Sequence, residues 1–341
     1  MTEEQRELLL SILACTKKAV VVAHKSPDGD ALGSILAWSG YLSSQRGIEV
    51  SVVVPDAYPD FLRWTPDSHT IIRYDKHADK VKSLVEEADT VFILDLNQLS
   101  RTQDMEPLLA AANDKIVMID HHLNPEMDKR LVISYPQMSS TCELVFRIVW
   151  QLGDFDATDK KWAEQIYSGM MTDTGGFTFN STRPEIFFII CQLLTRGIDK
   201  DKIYRNVYNN YSSWAVRLRG YLMAQKLNVF EDLHATYFAI SRMDMEEYHY
   251  IKGDAEGLVN VPLTIKGVKL SISLREDSVV DNSIWVSLRS VDDFPANEVA
   301  AQFFNGGGHL NAAGGHLDCS LDEAKEITKK AIYAFSEKLK G

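Results

Sequence analysis

Apolar and polar positions along this chain fall into two rhythms. Residues 3–15 have helical spacing, and short apolar runs rich in β-branched residues follow at 19–23, 91–94 and 115–119. Runs with no polar face predict buried parallel strands. Between them, 31–45 and 79–88 carry helical periodicity, so strand and helix alternate as in a doubly wound sheet. Each run ends in polar, ionisable residues: His24 after the first, Asp95 after the second, and Asp120, His121 and His122 after the third. The carboxyl ends of strands are where open α/β sheets bind ligands.

The pattern continues with helices at 139–151 and 159–173, the latter closing on Asp173 with Gly175 and Gly176 as a stop. A stretch from 184 to 227 is helical and rich in tyrosine and arginine. Beyond 230, strand-like runs at 235–241, 268–274 and 284–288 are joined by helical patterns at 297–304 and 321–339. The 341 residues exceed one comfortable core. Expected is an α/β chain of two lobes, 1–195 and a smaller 229–341, linked by a helical connection over 196–228.

Charge and cysteine usage narrow the class. Lysine and arginine number 36 against 48 acids, a formal charge of −12, which disfavours a nonspecific grip on long nucleic acid. Cys15, Cys142, Cys191 and Cys319 lie far apart without a CxxC pair, which predicts buried thiols rather than zinc ligands or disulfides. Neither a secretory signal nor a membrane span is read, so a cytoplasmic setting and no membrane partner are expected.

The chemistry gathers around HKSPDGDALGS, where His24, Asp28 and Asp30 share a strand-to-helix turn and Gly29 and Gly33 are expected to permit tight backbone paths. With Asp95, His121 and Asp173 the set offers two imidazoles and four carboxylates, a donor set suited to Mn²⁺ and similar ions. Four acids in one place repel, and two divalent ions would offset their formal charge of −4. Any one of these aspartates alone reads as a helix cap. Three successive strand ends bearing ligand-type residues do not. Near the C-terminus GGGHLNAAGGH, residues 306–316, lacks the GKS or GKT ending of a Walker A loop, and it reads either as an ordinary turn or as a loop whose amides wrap an anion.

Taken together, HKSPDGDALGS, VFILDLNQLSR, IDHHLNP, MMTDTGGF and GGGHLNAAGGH resemble the DHH phosphoesterase superfamily with its DHH-associated domain. The resemblance implies a parallel-sheet DHH catalytic domain over 1–195 and a substrate-binding α/β domain over 229–341 across a cleft. It implies that His24 and Asp28 hold one metal ion and Asp30, His121 and Asp173 another, with Asp95 bridging and Asp120 behind them. His122 and Asp95 would act in catalysis. Arg289, Gly307, Gly308 and His309 would hold substrate, and Arg101 and Ser140 would touch phosphate. Within the superfamily the similarity is to oligoribonucleases that degrade nano-RNA to nucleoside 5′-monophosphates and dephosphorylate 3′-phosphoadenosine 5′-phosphate. Two divalent ions, Mn²⁺ foremost, are the implied cofactors. Short oligoribonucleotides or mononucleotide bisphosphates are the implied partners, and a homodimer is left open. A cyclic-dinucleotide phosphodiesterase, a manganese pyrophosphatase and a noncatalytic nucleotide-binding module are the alternatives.

Overall fold

Because the valine-rich runs have no polar face, they need cover on both sides, and a parallel sheet between helices provides it. The computed structural model describes residues 1–341, which divide into two compact units, Met1–Asn210 and Tyr211–Gly341. In the first, β1 (Lys18–Val22), β2 (Glu49–Val54), β3 (Ile72–Arg73), β4 (Thr90–Leu94), β5 (Ile116–Asp120) and β6 (Leu131–Ser134) form one sheet in the order β3-β2-β1-β4-β5-β6. All neighbours are parallel. Its helices are α1 (Glu3–Cys15), α2 (Gly29–Arg46), α3 (Tyr74–Glu87), α4 (Glu106–Ala110), α5 (Thr141–Gln151), α6 (Lys160–Asp173), α7 (Pro184–Thr195) and α8 (Lys200–Tyr208).

Alternate strand residues enter opposite cores. Val21, Phe92 and Ile119 pack with Trp38 and Tyr41 of α2 and Phe146 of α5, while Val20, Ile93 and Met118 pack with Val81 and Val85 of α3 and Leu109 of α4. The strand order reverses between β1 and β4, creating the switch point at which such sheets open a crevice at their carboxyl ends. His24 and Asp95 follow those two strands.

Gly33 serves a different purpose from the turn its sequence context suggests. Both Gly29 and Gly33 lie inside α2, and a Cβ on Gly33 would stand 2.6 Å from the Gln165 carbonyl oxygen. The glycine lets α2 approach the backbone of α6. On α6, a Cβ at Gly169 would meet Cys142 Sγ at 2.2 Å and Asp30 Oδ1 at 2.9 Å.

The second unit contains α9 (Ser213–Tyr221), β7 (Asn228–Phe230), β8 (Ala235–Ile240), α10 (Arg242–Glu247), β9 (Leu270–Glu276), β10 (Ser283–Ser290), α11 (Ala296–Phe303), β11 (Gly307–His309), β12 (Ala312–Asp318), α12 (Leu321–Ala334) and α13 (Ser336–Lys340). Its sheet runs β11-β12-β10-β9-β8-β7, antiparallel except for β8 against β9. Ile284, Val286 and Leu288 of β10 pack with Val299 of α11 and Ala331 of α12 on one face. On the other, Phe238 and Ile240 of β8 pack with Leu218 of α9 and Met245 of α10.

The segment 196–228, read as a helical connection, holds α8, α9 and a π-helical turn at Leu222–Lys226, and the division between the units falls within it. Two other elements depart from the sequence reading. The long C-terminal helix breaks at Phe335 into α12 and α13. GGGHLNAAGGH is a β-hairpin of β11 and β12, with Gly307 opposite Gly314 and His309 opposite Ala312. The expected turn or loop is thus a strand pair, and although glycine disfavours strands, the pairing of β12 with β10 stabilises it.

Candidate metal centre

At the switch point the chain turns from β1 into α2, and Asp28 caps that helix, accepting the amide hydrogens of Asp30 and Ala31 at 3.0 Å. Asp30 stands in the first turn and is buried. Asp95 ends β4 in the left-handed region, φ 56°, which aspartate tolerates better than most residues. Asp120, His121 and His122 leave β5, and Asp173 closes α6.

Asp95 is the centre of this arrangement. Its Oδ2 lies 3.4 Å from His24 Nε2, and its Oδ1 lies 3.5 Å from His121 Nε2 and 3.6 Å from His122 Nδ1. His121 Nε2 is also 3.9 Å from Asp30 Oδ2 and 3.3 Å from Asp173 Oδ2. Ligand atoms of His24, Asp28 and Asp95 fall within 4.8 Å of one another, and so do those of Asp30, Asp95 and His121. The two groups share Asp95.

Backbone carbonyls orient the imidazoles. His24 Nδ1 is 2.8 Å from the Lys25 oxygen, and His121 Nδ1 is 3.3 Å from the Met138 oxygen. A carbonyl accepts only, so each Nδ1 carries a proton and each Nε2 faces the carboxylates, as an N–H donor in the charged ring and as a lone pair in the neutral one. His24 Nε2 is buried with no hydrogen-bond partner. Exchanging the Nε2 proton for a divalent cation leaves the same donors converging, so the residues fit a divalent metal, with oxygen and imidazole donors of the kind first-row ions accept.

The start of α5 fixes two of the acids. Both oxygens of Asp30 accept backbone amides, Oδ2 from Thr141 at 2.6 Å and Oδ1 from Cys142 at 2.9 Å, while the Thr141 hydroxyl donates to Asp95 Oδ1 at 3.0 Å. Fully buried Glu143 holds the preceding turn through the Ser139 amide and hydroxyl, both at 2.7 Å, and is itself held by Arg183 at 2.7 Å and Arg147 at 2.8 Å. Sequence reasoning passed over Glu143. Its signal was the S-x-x-E spacing from Ser140 that marks a helix start.

Electrostatics separate the acids. Burial and the charges of Asp95 and Asp173 push the Asp30 carboxyl well above the usual range. Burial opposes ionisation of Asp95 too, but His121 and His24 more than offset it and hold Asp95 well below that range. Burial lowers and the carboxylates raise His121, and the carboxylates prevail, leaving it well above an ordinary histidine. A divalent cation would supply the missing positive charge directly.

His122 has a separate support. Asp120, fully buried, accepts from the His122 amide at 2.8 Å and lies 2.8 Å from its Nδ1. Arg101 Nη1 reaches His122 Nε2 at 3.2 Å and the Asp95 carbonyl at 3.3 Å. Ser140, expected to touch phosphate, is fully buried, and its hydroxyl accepts the Glu143 amide as the cap of α5. Arg289, Gly307, Gly308 and His309 belong to the second unit. There Arg289 pairs with Ala312, which pairs with His309, so the arginine and histidine occupy one cross-strand row.

No helix of the chain is long and apolar enough to cross a membrane. Residues 18–170 match the N-terminal domain of the DHH family, and residues 235–337 match the DHHA1 domain. The bifunctional oligoribonuclease and PAP phosphatase NrnA of Thermus thermophilus is 27% identical over 96% of this chain and 94% of its own. The protein of the same name from Bacillus subtilis is 26% identical over 94% and 95%. A crystal structure of an exopolyphosphatase-related protein from Bacteroides fragilis is 46% identical and covers 100% of this chain and 98% of its own, with a TM-score of 0.94. With both domain matches, the spent strand ends of a parallel sheet and the Asp-His-His triplet beside a shared carboxylate, the chain belongs to the DHH family of phosphoesterases, carrying a DHHA1 domain after its DHH domain.

Proposed function

We propose that this chain is a cytoplasmic metal-dependent phosphodiesterase that hydrolyses very short oligoribonucleotides to nucleoside 5′-monophosphates and removes the 3′-phosphate of 3′-phosphoadenosine 5′-phosphate. The observation that carries this reading is the sharing of Asp95 by two histidine–carboxylate groups at the switch point of the sheet. In it His24 and Asp28 hold one divalent ion, Asp30, His121 and Asp173 hold the other, and Asp95 serves both. Mn²⁺ suits the mixed nitrogen and oxygen donors. When bound, a pair of such ions lowers the pKa of water and offsets charge on a phosphate.

The rest of the reading concerns the chain's own groups. Asp120 anchors His122 through Nδ1, which leaves Nε2 beside Arg101. Arg101 donates to that nitrogen, and in this reading the guanidinium also meets a phosphate oxygen while the imidazole stands beside the departing oxygen. In the second unit Arg289 and His309 hold the nucleotide. The names of the two bacterial relatives, covered almost end to end, support the substrate class.

A product-resolved hydrolysis panel with Mn²⁺ tests the proposal, using a diribonucleotide, cyclic di-AMP, pyrophosphate and 3′-phosphoadenosine 5′-phosphate. Expected products are 5′-monophosphates from the dinucleotide and adenosine 5′-monophosphate from the bisphosphate. Turnover of pyrophosphate alone, or of the cyclic dinucleotide with its linear form left intact, would overturn it.

A further inference from the structure

The DHHA1 sheet has one face packed against α11 and α12, and β10 sends Trp285, Ser287 and Arg289 to the other. Residues opposite one another across an antiparallel sheet share a face. One row is therefore Arg289, Ala312 and His309, the next is Ser287, Gly314 and Gly307, and a third is Trp285 and His316. The middle row has almost no side chain. At about 3.3 Å per residue the outer rows stand roughly 13 Å apart, and two strand spacings make the floor roughly 9.5 Å wide.

Trp285 is unusual among the aromatic residues here. It is 42% exposed on a strand, yet its indole is fixed: Nε1 donates to Asp277 Oδ2 at 2.8 Å, and the ring meets His316 edge-on at 5.0 Å. His316 is held in turn by Ser283, 2.8 Å from its Nε2. Asp277 also accepts the Val279 and Val280 amides, at 2.9 and 3.0 Å, so its charge is spent on the hairpin that steadies the tryptophan. A rigid, half-exposed indole on the same sheet face as an arginine has the make-up of a base-stacking platform.

The glycines of the hairpin divide in a way that agrees with this. A Cβ on Gly306 would fall 1.9 Å from the Gly314 oxygen, and one on Gly315 would fall 2.3 Å from the Phe304 oxygen. Gly308 has φ 141° and would clash at 2.5 Å. Those three are required by the fold. Gly307 has nothing within 4 Å of its Cβ position, and Gly314 has only the Val286 oxygen at 3.4 Å. Glycine weakens a strand, and where the fold does not demand it the remaining reason is close approach of something else.

We infer that this face is a nucleobase seat, with Trp285 as its stacking wall, Gly307, Gly314 and Ser287 as its floor, and Arg289 with His309 at the end that meets the sugar-phosphate. The occupant is a purine-sized base of a nucleotide, and the inference deepens the reading of the chain as an enzyme of short RNA. Stacking of about 1–3 kcal/mol per base corresponds to roughly 5- to 150-fold in affinity.

Calorimetric binding of adenosine 5′-monophosphate and of ribose 5-phosphate to the Mn²⁺-loaded full chain isolates the base. Wild type should prefer the nucleotide at least fivefold. Trp285→Ala and Gly307→Val should each bring the two ligands within about twofold, and Trp285→Phe should keep most of the preference. Gly307→Val guards against a tryptophan variant that fails to fold, with thermal melting as the check. Equal binding of the two ligands by wild type, or variants that keep its ratio, would overturn the seat. Dinucleotide hydrolysis on the same preparations reports separately on the reaction: a base preference without turnover removes the reaction and leaves the seat standing.

Discussion

At the scale of single residues, Asp95 has the most contacts to lose. It faces His24, His121 and His122, receives the Thr141 hydroxyl, and sits at a positive φ. Asparagine preserves shape and tolerates that backbone, so Asp95→Asn tests charge alone. Hydrolysis should fall below a tenth of wild type, and Mn²⁺ should cease to raise the melting temperature. Normal activity at saturating Mn²⁺ would remove Asp95 from the shared position. Asp277 makes a second prediction. Burial raises its pKa, but the Trp285 indole and two amides outweigh it and hold Asp277 down to about 2. A depressed carboxyl contributes stability that is present above its unfolded value of about 3.9 and is lost as pH falls toward 2. The Trp285 indole N–H resonance should therefore shift with a midpoint near 2. A midpoint near that of a free aspartate would mean the latch is not formed in solution.

At the scale of elements, the centre depends on how closely α2, α5 and α6 approach. Gly33 permits the α2–α6 contact, and Gly169 leaves room for Cys142 beside Asp30. Gly33→Val would press on the Gln165 carbonyl, a backbone atom that cannot swing away. Overpacking of this kind costs roughly 1–3 kcal/mol. A matching fall in the urea midpoint is expected, with reduced hydrolysis because Asp30 lies in the first turn of α2. Wild-type stability would show that the two helices can part without strain. The start of α5 matters for a related reason: Ser140 caps it, and its first two amides hold both oxygens of Asp30.

For the whole molecule, the proposed activity and the net charge together predict a substrate length. A chain of net −12 has no long basic run with which to follow a backbone. Values of kcat/KM should be higher for substrates of about two to five nucleotides than for a single strand of roughly 24, at one fixed salt concentration. Equal efficiency on the long strand would require a basic groove built from residues scattered in the sequence. Metal should also couple to stability. Apo protein confines repelling carboxylates, so saturating Mn²⁺ to about 100 times its Kd should stabilise by about 2.7 kcal/mol per site, read as a rise in melting temperature that chelation reverses.

The linear pattern was enough for β1, β4 and β5, because unbroken apolar runs have only one comfortable place, the middle of a covered sheet. It also marked residues that the fold brings together, since His24, Asp95 and the Asp-His-His triplet stand at strand ends and those ends meet at one edge of the sheet. What it did not contain was pairing. The two residues of β3 and the glycines of β11 and β12 are strands only because a neighbour supplies hydrogen bonds. Nor did it contain distance: that Thr141 and Cys142 hold Asp30 from 111 and 112 residues away, and that Trp285 shares a face with Gly307 through β12, arises when separate segments are packed side by side. Local propensity and periodicity act over a few residues, whereas the orientation of a carboxylate or an indole is set by whichever atoms folding brings beside it.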